Sequence, residues 1–153
     1  MMLRRRRRRG TVLVESAMIY PILFLMILGI ILLGIGVFRY QQVAHIAREA
    51  ARWASVHGAR YAQETGQPAA TANDVYNNVI VPQAAGMGLE NLTYSITWDT
   101  SNTQTHTVTV GTGSAATVQT VSNNVIVTVT YTWNTGLFGS IPVSSTSVTP
   151  MNY

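Results

Sequence analysis

The sequence predicts an α+β protein, with a long N-terminal transmembrane-plus-stalk helix and a small antiparallel β-sheet domain. Residues 16–38 are 23 consecutive uncharged residues, mostly Ile, Leu, Met, Gly and Val. Only 10% of the chain is charged, against about 25% in an ordinary soluble domain. From about residue 91, threonine and apolar residues alternate with the period of two that strands require. The first two observations predict a membrane helix, and the third predicts the sheet.

The first ten residues are predicted to form a basic leader. Residues 4–9 are six consecutive arginines, and Gly10 separates them from the apolar stretch. The formal net charge of +4 depends on this run, because the remaining chain has four Arg against six acidic residues. No nucleic-acid partner is expected, since no basic stripe remains to neutralise phosphates. The chain has no cysteine, which excludes disulfides, cysteine nucleophiles and zinc–thiolate sites.

Residues 11–38 are predicted to cross a membrane. A helix over the 23 uncharged residues spans about 35 Å, and a hydrocarbon core is about 30 Å thick. The stretch is too long for a cleavable secretory signal, whose apolar region has about 7–15 residues. Gly29 and Gly36 share one helix face, where small residues allow close helix packing. The basic leader resists translocation, which predicts a cytoplasmic N-terminus and an extracytoplasmic domain over residues 67–153.

Residues 39–66 are predicted to continue the helix as a solvent-exposed stalk. One stripe of residues recurs at three- and four-residue spacing: Val43, Ile46, Ala50, Trp53 and Ala54. Gly58 is expected to interrupt this helix, and the Gly-Gln-Pro sequence at 66–68 is expected to end it. A second helix is predicted over residues 71–81, with Pro82 and the Gly-Met-Gly sequence at 86–88 as its stop signals.

Four strands are predicted from the alternation, over residues 92–98, 105–110, 124–133 and 141–149. Turn-like sequences separate them, including residues 111–115. Threonine on one side and apolar groups on the other are typical of an antiparallel sheet with one wet face. The apolar stripe of the stalk is the nearest element able to cover the apolar face.

Glu15 is the one charged residue within residues 11–38, and it is the fifth residue after Gly10. An acidic side chain in a membrane helix costs about 2.5–3.5 kcal/mol at the helix centre and less near an end. Two interpretations follow. Either Glu15 reaches the membrane interface or is neutralised there, or it pairs with a cation inside an assembly.

The sequence GTVLVESA at residues 10–17, followed by Pro21 and Gly29, resembles the TadE-like family of pseudopilins. These are minor components of the tight-adherence (Flp, type IVb) pilus machinery. The resemblance continues through Gln41, Gln42 and Ala44, and through AREAARWA at residues 47–54. The family commonly has alanine, glycine and tyrosine where this chain has Ile46, Ala50 and Trp53. Ser16 replaces the tyrosine that often follows the glutamate in major Flp pilins, which favours a minor pseudopilin.

The resemblance implies a pilin-like fold and a structural function, with no cofactor. It implies that a prepilin peptidase cuts between Gly10 and Thr11 on the cytoplasmic side of the inner membrane. The new amine of Thr11 then lies where the Glu15 carboxylate of a neighbouring subunit pairs with it and sets the assembly register. The implied partners are that peptidase, other pilins and pseudopilins, and the pilus assembly platform, in a homo- or hetero-oligomer formed through the N-terminal helix.

The remaining candidate sites lie in the stalk. Arg48, Glu49 and Arg52 form a charged motif, in which Glu49 and Arg52 are expected to make a weak surface pair. The two arginines are like charges at four-residue spacing, which suits an acidic partner on another subunit. His45 and Glu49 have the spacing of metal ligands but no suitable third ligand nearby, so no metal site is predicted.

No catalytic constellation is recognised, and the protein is not expected to be an enzyme. The alternative is an uncleaved signal-anchored envelope protein whose β-domain binds a surface ligand or partner.

Overall fold

The computed structural model describes residues 7–100, 102–110, 116–136 and 139–152. Residues 1–6 of the predicted leader and the predicted turn at 111–115 lie outside the described residues. The chain divides into two compact units, Met1–Phe38 and Arg39–Tyr153.

Helix α1, Arg7–Val56, supplies the described part of the first unit. Within the part of the chain that the structure describes, it is the one helix long and apolar enough to cross a membrane. None of its most apolar 18-residue window is buried. Pro21 lies inside the helix, a position that membrane helices tolerate better than soluble ones. The predicted apolar helix is therefore present, and it is compatible with a single-pass membrane anchor.

The second unit begins with residues 39–56 of α1, followed by α2, Ala59–Thr65. The interruption predicted at Gly58 is confirmed, since Gly58 separates the two helices. The predicted end is also confirmed: Gly66 adopts a left-handed conformation with φ of 73°, and its N–H donates to the carbonyl of Ala62 at 3.0 Å. Glycine adopts this conformation without the steric cost of a Cβ, which explains its place at the helix end.

The predicted second helix consists of three short segments: α3 (Ala72–Val75), a π-helical turn (Tyr76–Ile80) and α4 (Val81–Gln83). Thr71 and Asp74 form a capping box at its start. The prediction that Pro82 stops the helix is wrong, because Pro82 lies within α4. In the π turn the N–H of Val81 reaches back five residues to Tyr76, which widens the helix directly before the proline ring.

Three strands form the main sheet: β1 (Leu92–Trp98), β4 (Asn124–Asn134) and β5 (Ser140–Pro150), after a 3₁₀ turn at Leu89–Asn91. They are antiparallel in the order β1-β4-β5. Strands β2 (Thr105–Val110) and β3 (Thr117–Ser122) form a separate antiparallel pair. The four predicted strands are confirmed to within one residue at each end. The prediction that all the strands form one sheet is wrong. Strand β3, which was not predicted, pairs with β2, and β1 pairs with β4.

The core of the second unit joins its helices to one face of the main sheet. Its members on α1 include Val43, Ile46, Ala47, Ala50 and Ala54, its members on β4 are Val125, Val127, Val129 and Tyr131, and the helices after Thr71 add Val75 and Ile80. The sheet's apolar face is thus covered by the predicted α1 stripe. Residues 39–56, expected as a solvent-exposed stalk, supply a core helix of this unit.

Candidate functional site

The predicted processing and assembly residues lie in the first turns of α1. Gly10, Thr11 and Glu15 are all exposed. A Cβ added at Gly10 meets nothing within 4 Å, so the fold itself does not require glycine there. Thr11 and Glu15 are four residues apart, which places their side chains on one helix face. The first turns of α1 therefore hold Gly10, Thr11 and Glu15 close together, and their roles in cleavage and pairing stay predictions.

Apolar side chains surround Glu15 along this segment of α1. Val12, Leu13 and Val14 are 61%, 71% and 65% exposed. A carboxylate on such a surface is well solvated in water but poorly solvated in hydrocarbon. In a membrane, the Glu15 carboxylate must therefore reach the polar interface, take up a proton or pair with a cation.

The predicted packing glycines lie further along the same helix. Gly29 and Gly36 are both half-buried, while most of their neighbours are exposed. A Cβ added at Gly29 meets nothing within 4 Å, so no contact among the described residues explains this glycine. A face for a second helix remains the prediction for both positions.

The charged motif of the stalk lies on the second unit's part of α1. Arg48 and Arg52 are exposed, whereas Glu49 is half-buried. Among the residues that the structure describes, Glu49 and Arg52 form no ion pair, so that predicted contact is absent; the observed pair is Arg60–Glu64 at 3.1 Å. The two arginines thus present an exposed basic face.

Residues 10–52 match the family model of TadE-like proteins. This segment is TadE-like. The resemblance predicted from the sequence is confirmed over these residues, which run from Gly10 to Arg52 and include every candidate site residue named above. The match indicates a protein associated with the Tad pilus. No curated protein and no solved structure matches the chain.

Arg39 lies inside the TadE-like segment, and the sequence analysis did not single it out. Its guanidinium carbon lies 5.8 Å from the ring centroid of Tyr131, and its Nη1 donates to Gln42 Oε1 at 3.0 Å. A guanidinium over a tyrosine face is attracted by the ring quadrupole. This contact joins the start of the second unit's α1 segment to β4. The signal in the sequence was that Arg39 is the first charge after residues 16–38.

His45, the other candidate in the TadE-like segment, contacts a side chain on α4. Its Nδ1 lies 3.2 Å from Gln83 Oε1. Across the described parts of the chain, no group of three or more His, Cys, Asp or Glu residues is placed to hold a metal ion. The structure thus gives His45 a hydrogen-bonding role on the helix surface.

Proposed function

We propose that the protein is a membrane-anchored pseudopilin, a structural component of a tight-adherence (Flp/type IVb) pilus or a related secretion assembly. One observation carries the proposal: the TadE-like match begins at Gly10, the residue that joins the arginine run to the apolar helix. A prepilin requires a peptidase cleavage site directly before its apolar helix. Gly10, the first residue of the TadE-like segment, lies at that position.

Anchoring follows from the exposed apolar surface of α1. Apart from the half-buried Leu28 and Leu32, the large apolar side chains along residues 12–38 are 40–73% exposed, an arrangement that water disfavours and hydrocarbon accommodates. The arginines of the leader hold the N-terminus in the cytoplasm. The second unit then lies on the periplasmic or extracellular side of the inner membrane.

Processing creates the group that Glu15 needs. A prepilin peptidase cuts after Gly10, and the Thr11 amine becomes a cation at nearly the same membrane depth as Glu15. Pairing between the amine of one subunit and the carboxylate of the next fixes the axial offset of two helices, because only one offset brings the groups together. Gly29 and Gly36 allow the helices to approach closely.

The partners of this assembly are other pilins or pseudopilins and the assembly platform. The basic face formed by Arg48 and Arg52 is suited to an acidic surface on one of them. The role is structural, with no catalytic step assigned to the chain.

N-terminal sequencing of the protein extracted from membranes tests the proposal. A mature chain that begins at Thr11 supports it. An intact leader, together with a Glu15 variant that assembles normally, supports the uncleaved signal-anchored alternative. Protease added to intact spheroplasts should digest residues beyond about 40, and full protection would overturn the orientation.

A further inference from the structure

The second unit contains an open groove of about 470 Å³ between the α1–α2 junction and the following helix. Trp53, His57 and Tyr61 line the groove from the region of the α1–α2 junction. Asp74 and Asn78 line it from the following helix. The volume lies within the range of about 300–1,000 Å³ that is typical of small-ligand sites. The proposed assembly function uses none of these residues.

The aromatic side chains of the groove are held in fixed positions. The Trp53 and His57 rings are stacked with centroids 3.9 Å apart and planes 14° apart. The His57 and Tyr61 rings lie 4.7 Å apart at 55°. The sequence spacing of four residues places all three on one side of the helical path, which continues past the break at Gly58.

The backbone around the groove is closed by a chain of hydrogen bonds. The N–H of Ala59 donates to the carbonyl of Asn102 at 2.6 Å, and Asn102 Nδ2 donates to the carbonyl of Ala70 at 2.9 Å. The N–H of Ala70 donates in turn to the carbonyl of His57 at 2.9 Å. Because these bonds return to the same junction, the groove is formed before any ligand binds, which lowers the cost of binding.

Three polar side chains of the groove, those of His57, Asp74 and Asn78, keep acceptor atoms available, and the side-chain amide of Gln67 adds both donors and an acceptor. His57 Nδ1 lies 2.8 Å from the carbonyl oxygen of Trp53, which only accepts, so Nδ1 carries the proton and Nε2 is left as an acceptor. Asp74 uses Oδ2 for the N–H and hydroxyl of Thr71, which leaves Oδ1. Asn78 donates through Nδ2 to the carbonyl of Asp74, which leaves its Oδ1. A complementary ligand must therefore bring several donors.

Charge narrows the choice of ligand further. No Lys or Arg lines the groove, and Asp74 carries a negative charge, so anionic ligands are disfavoured. An aspartate is ionised at neutral pH, and hydrogen bonds from the side chain and backbone of Thr71 lower the pKa of Asp74 further.

We propose that this groove binds a neutral sugar unit of a glycan. A pyranose has an apolar face for the aromatic wall and several hydroxyl donors for Asp74, Asn78 and His57. The groove is open rather than enclosed, which suits one unit of a longer chain. This inference goes beyond the assembly function and does not depend on cleavage after Gly10.

Titration of the full-length protein in phosphatidylcholine nanodiscs tests the proposal, since glycoside detergents would compete for the groove. The probes are the tetrasaccharides of β1,4-glucose, α1,4-glucose and β1,4-N-acetylglucosamine, with binding followed by calorimetry. At least one of them should bind. Tyr61→Ala and Asn78→Ala should each weaken that binding about tenfold, equivalent to about 1.4 kcal/mol. Helix α2 contains no buried residue, so Tyr61→Ala leaves the core intact.

Tyr40→Ala and Asn77→Ala are the matched controls, because both residues are exposed and neither lines the groove. Both should bind like the wild type. Absence of binding by all three tetrasaccharides would overturn the proposal, and so would binding that the groove variants leave unchanged. Binding of tetramethylammonium in place of the sugars, lost in Tyr61→Ala, would identify a cation site and also overturn it.

Discussion

The side chain of Asn123 is completely buried, and its Nδ2 donates to the carbonyl oxygen of Thr103 at 2.8 Å and to its hydroxyl at 3.1 Å. The Oδ1 of Asn123 accepts a hydrogen bond from the hydroxyl of Thr100 at 2.8 Å. The Asn123 backbone also donates to the carbonyl of Gln104 and accepts from Met151. Asn123 lies between β3 and β4, so these contacts tie the loop before β2 and the end of β5 to the point where the chain re-enters the main sheet.

Asn123→Ala should lower the free energy of unfolding by about 1–3 kcal/mol, since it removes the hydrogen bonds that this completely buried side chain makes to Thr100 and Thr103. Urea denaturation of the full-length protein, followed by tryptophan fluorescence, measures the change. Asn77→Ala is the control, because Asn77 is exposed. Equal stability of the two variants would mean that water replaces the lost contacts.

The capping box at Thr71 predicts a pH dependence of stability. The Thr71 hydroxyl and N–H donate to Asp74 Oδ2 at 2.6 Å and 2.8 Å, and they lower the pKa of Asp74 below its ordinary value of 3.8. A lowered pKa in the folded state means that the carboxylate stabilises the fold above the unfolded pKa, and that this contribution is lost as the pH falls through the folded pKa.

Asp74→Ala should therefore be less stable than the wild type at neutral pH, and the difference should shrink as the pH falls below 3.8. Denaturation midpoints at neutral and acid pH give the comparison. Asn73→Ala, on the same helical turn, is the control and should show no such pH dependence. A difference that stays constant with pH would exclude ionisation of Asp74 as its cause.

The parts of the fold that follow local patterns were predictable from the sequence. The uncharged run predicted the apolar helix of the first unit. Gly58 and Gly66 predicted the break after α1 and the end of α2 in the second unit, and the alternation over residues 124–133 predicted β4. Strand β3 was missed because Thr-Val-Gln-Thr-Val-Ser has no clear period of two. The choice of partner strand was also missed, since pairing of β2 with β3 depends on tertiary contacts that propensity does not encode.

The candidate sites also differ in how far the sequence alone predicts them. Gly10 and Glu15 are recognisable because their roles depend on spacing along one helix. The groove is not recognisable from the sequence, although Trp53, His57 and Tyr61 follow one another at four-residue spacing. It forms only because the chain turns at Gly66 and brings Asp74 and Asn78 to the aromatic side chains.

Gly10→Val should leave the leader attached, because a β-branched side chain obstructs a peptidase that accepts glycine before the cut. The expected product is larger than the mature protein by about ten residues on a gel, with membrane insertion unchanged. A Cβ at Gly10 meets nothing within 4 Å, so folding does not oppose the substitution. Gly34→Val is the control, since its site is equally open and lies far from the junction. Normal maturation of Gly10→Val would contradict the pseudopilin function.

Glu15→Gln should still be cut after Gly10 and inserted in the membrane, but it should fail to co-assemble with partner pilins. The substitution keeps the size and hydrogen-bonding capacity of the side chain and removes only its charge. Within one helix, Thr11 and Glu15 are four residues apart, so an intramolecular pair between the new amine and the carboxylate is the competing explanation. Such a pair would neutralise the charge without relating one subunit to another.

Co-purification of partners from crosslinked, detergent-solubilised membranes separates the two explanations of Glu15. Loss of partners from Glu15→Gln, with correct processing, fits a pair between subunits, because the amine and carboxylate then set the offset of neighbouring helices. Glu90→Gln is the matched control: Glu90 is an exposed acid in the second unit and should retain its partners. If Glu15→Gln recovers partners at wild-type yield, the carboxylate serves only its own helix, and register is set by packing at positions such as Gly29 and Gly36.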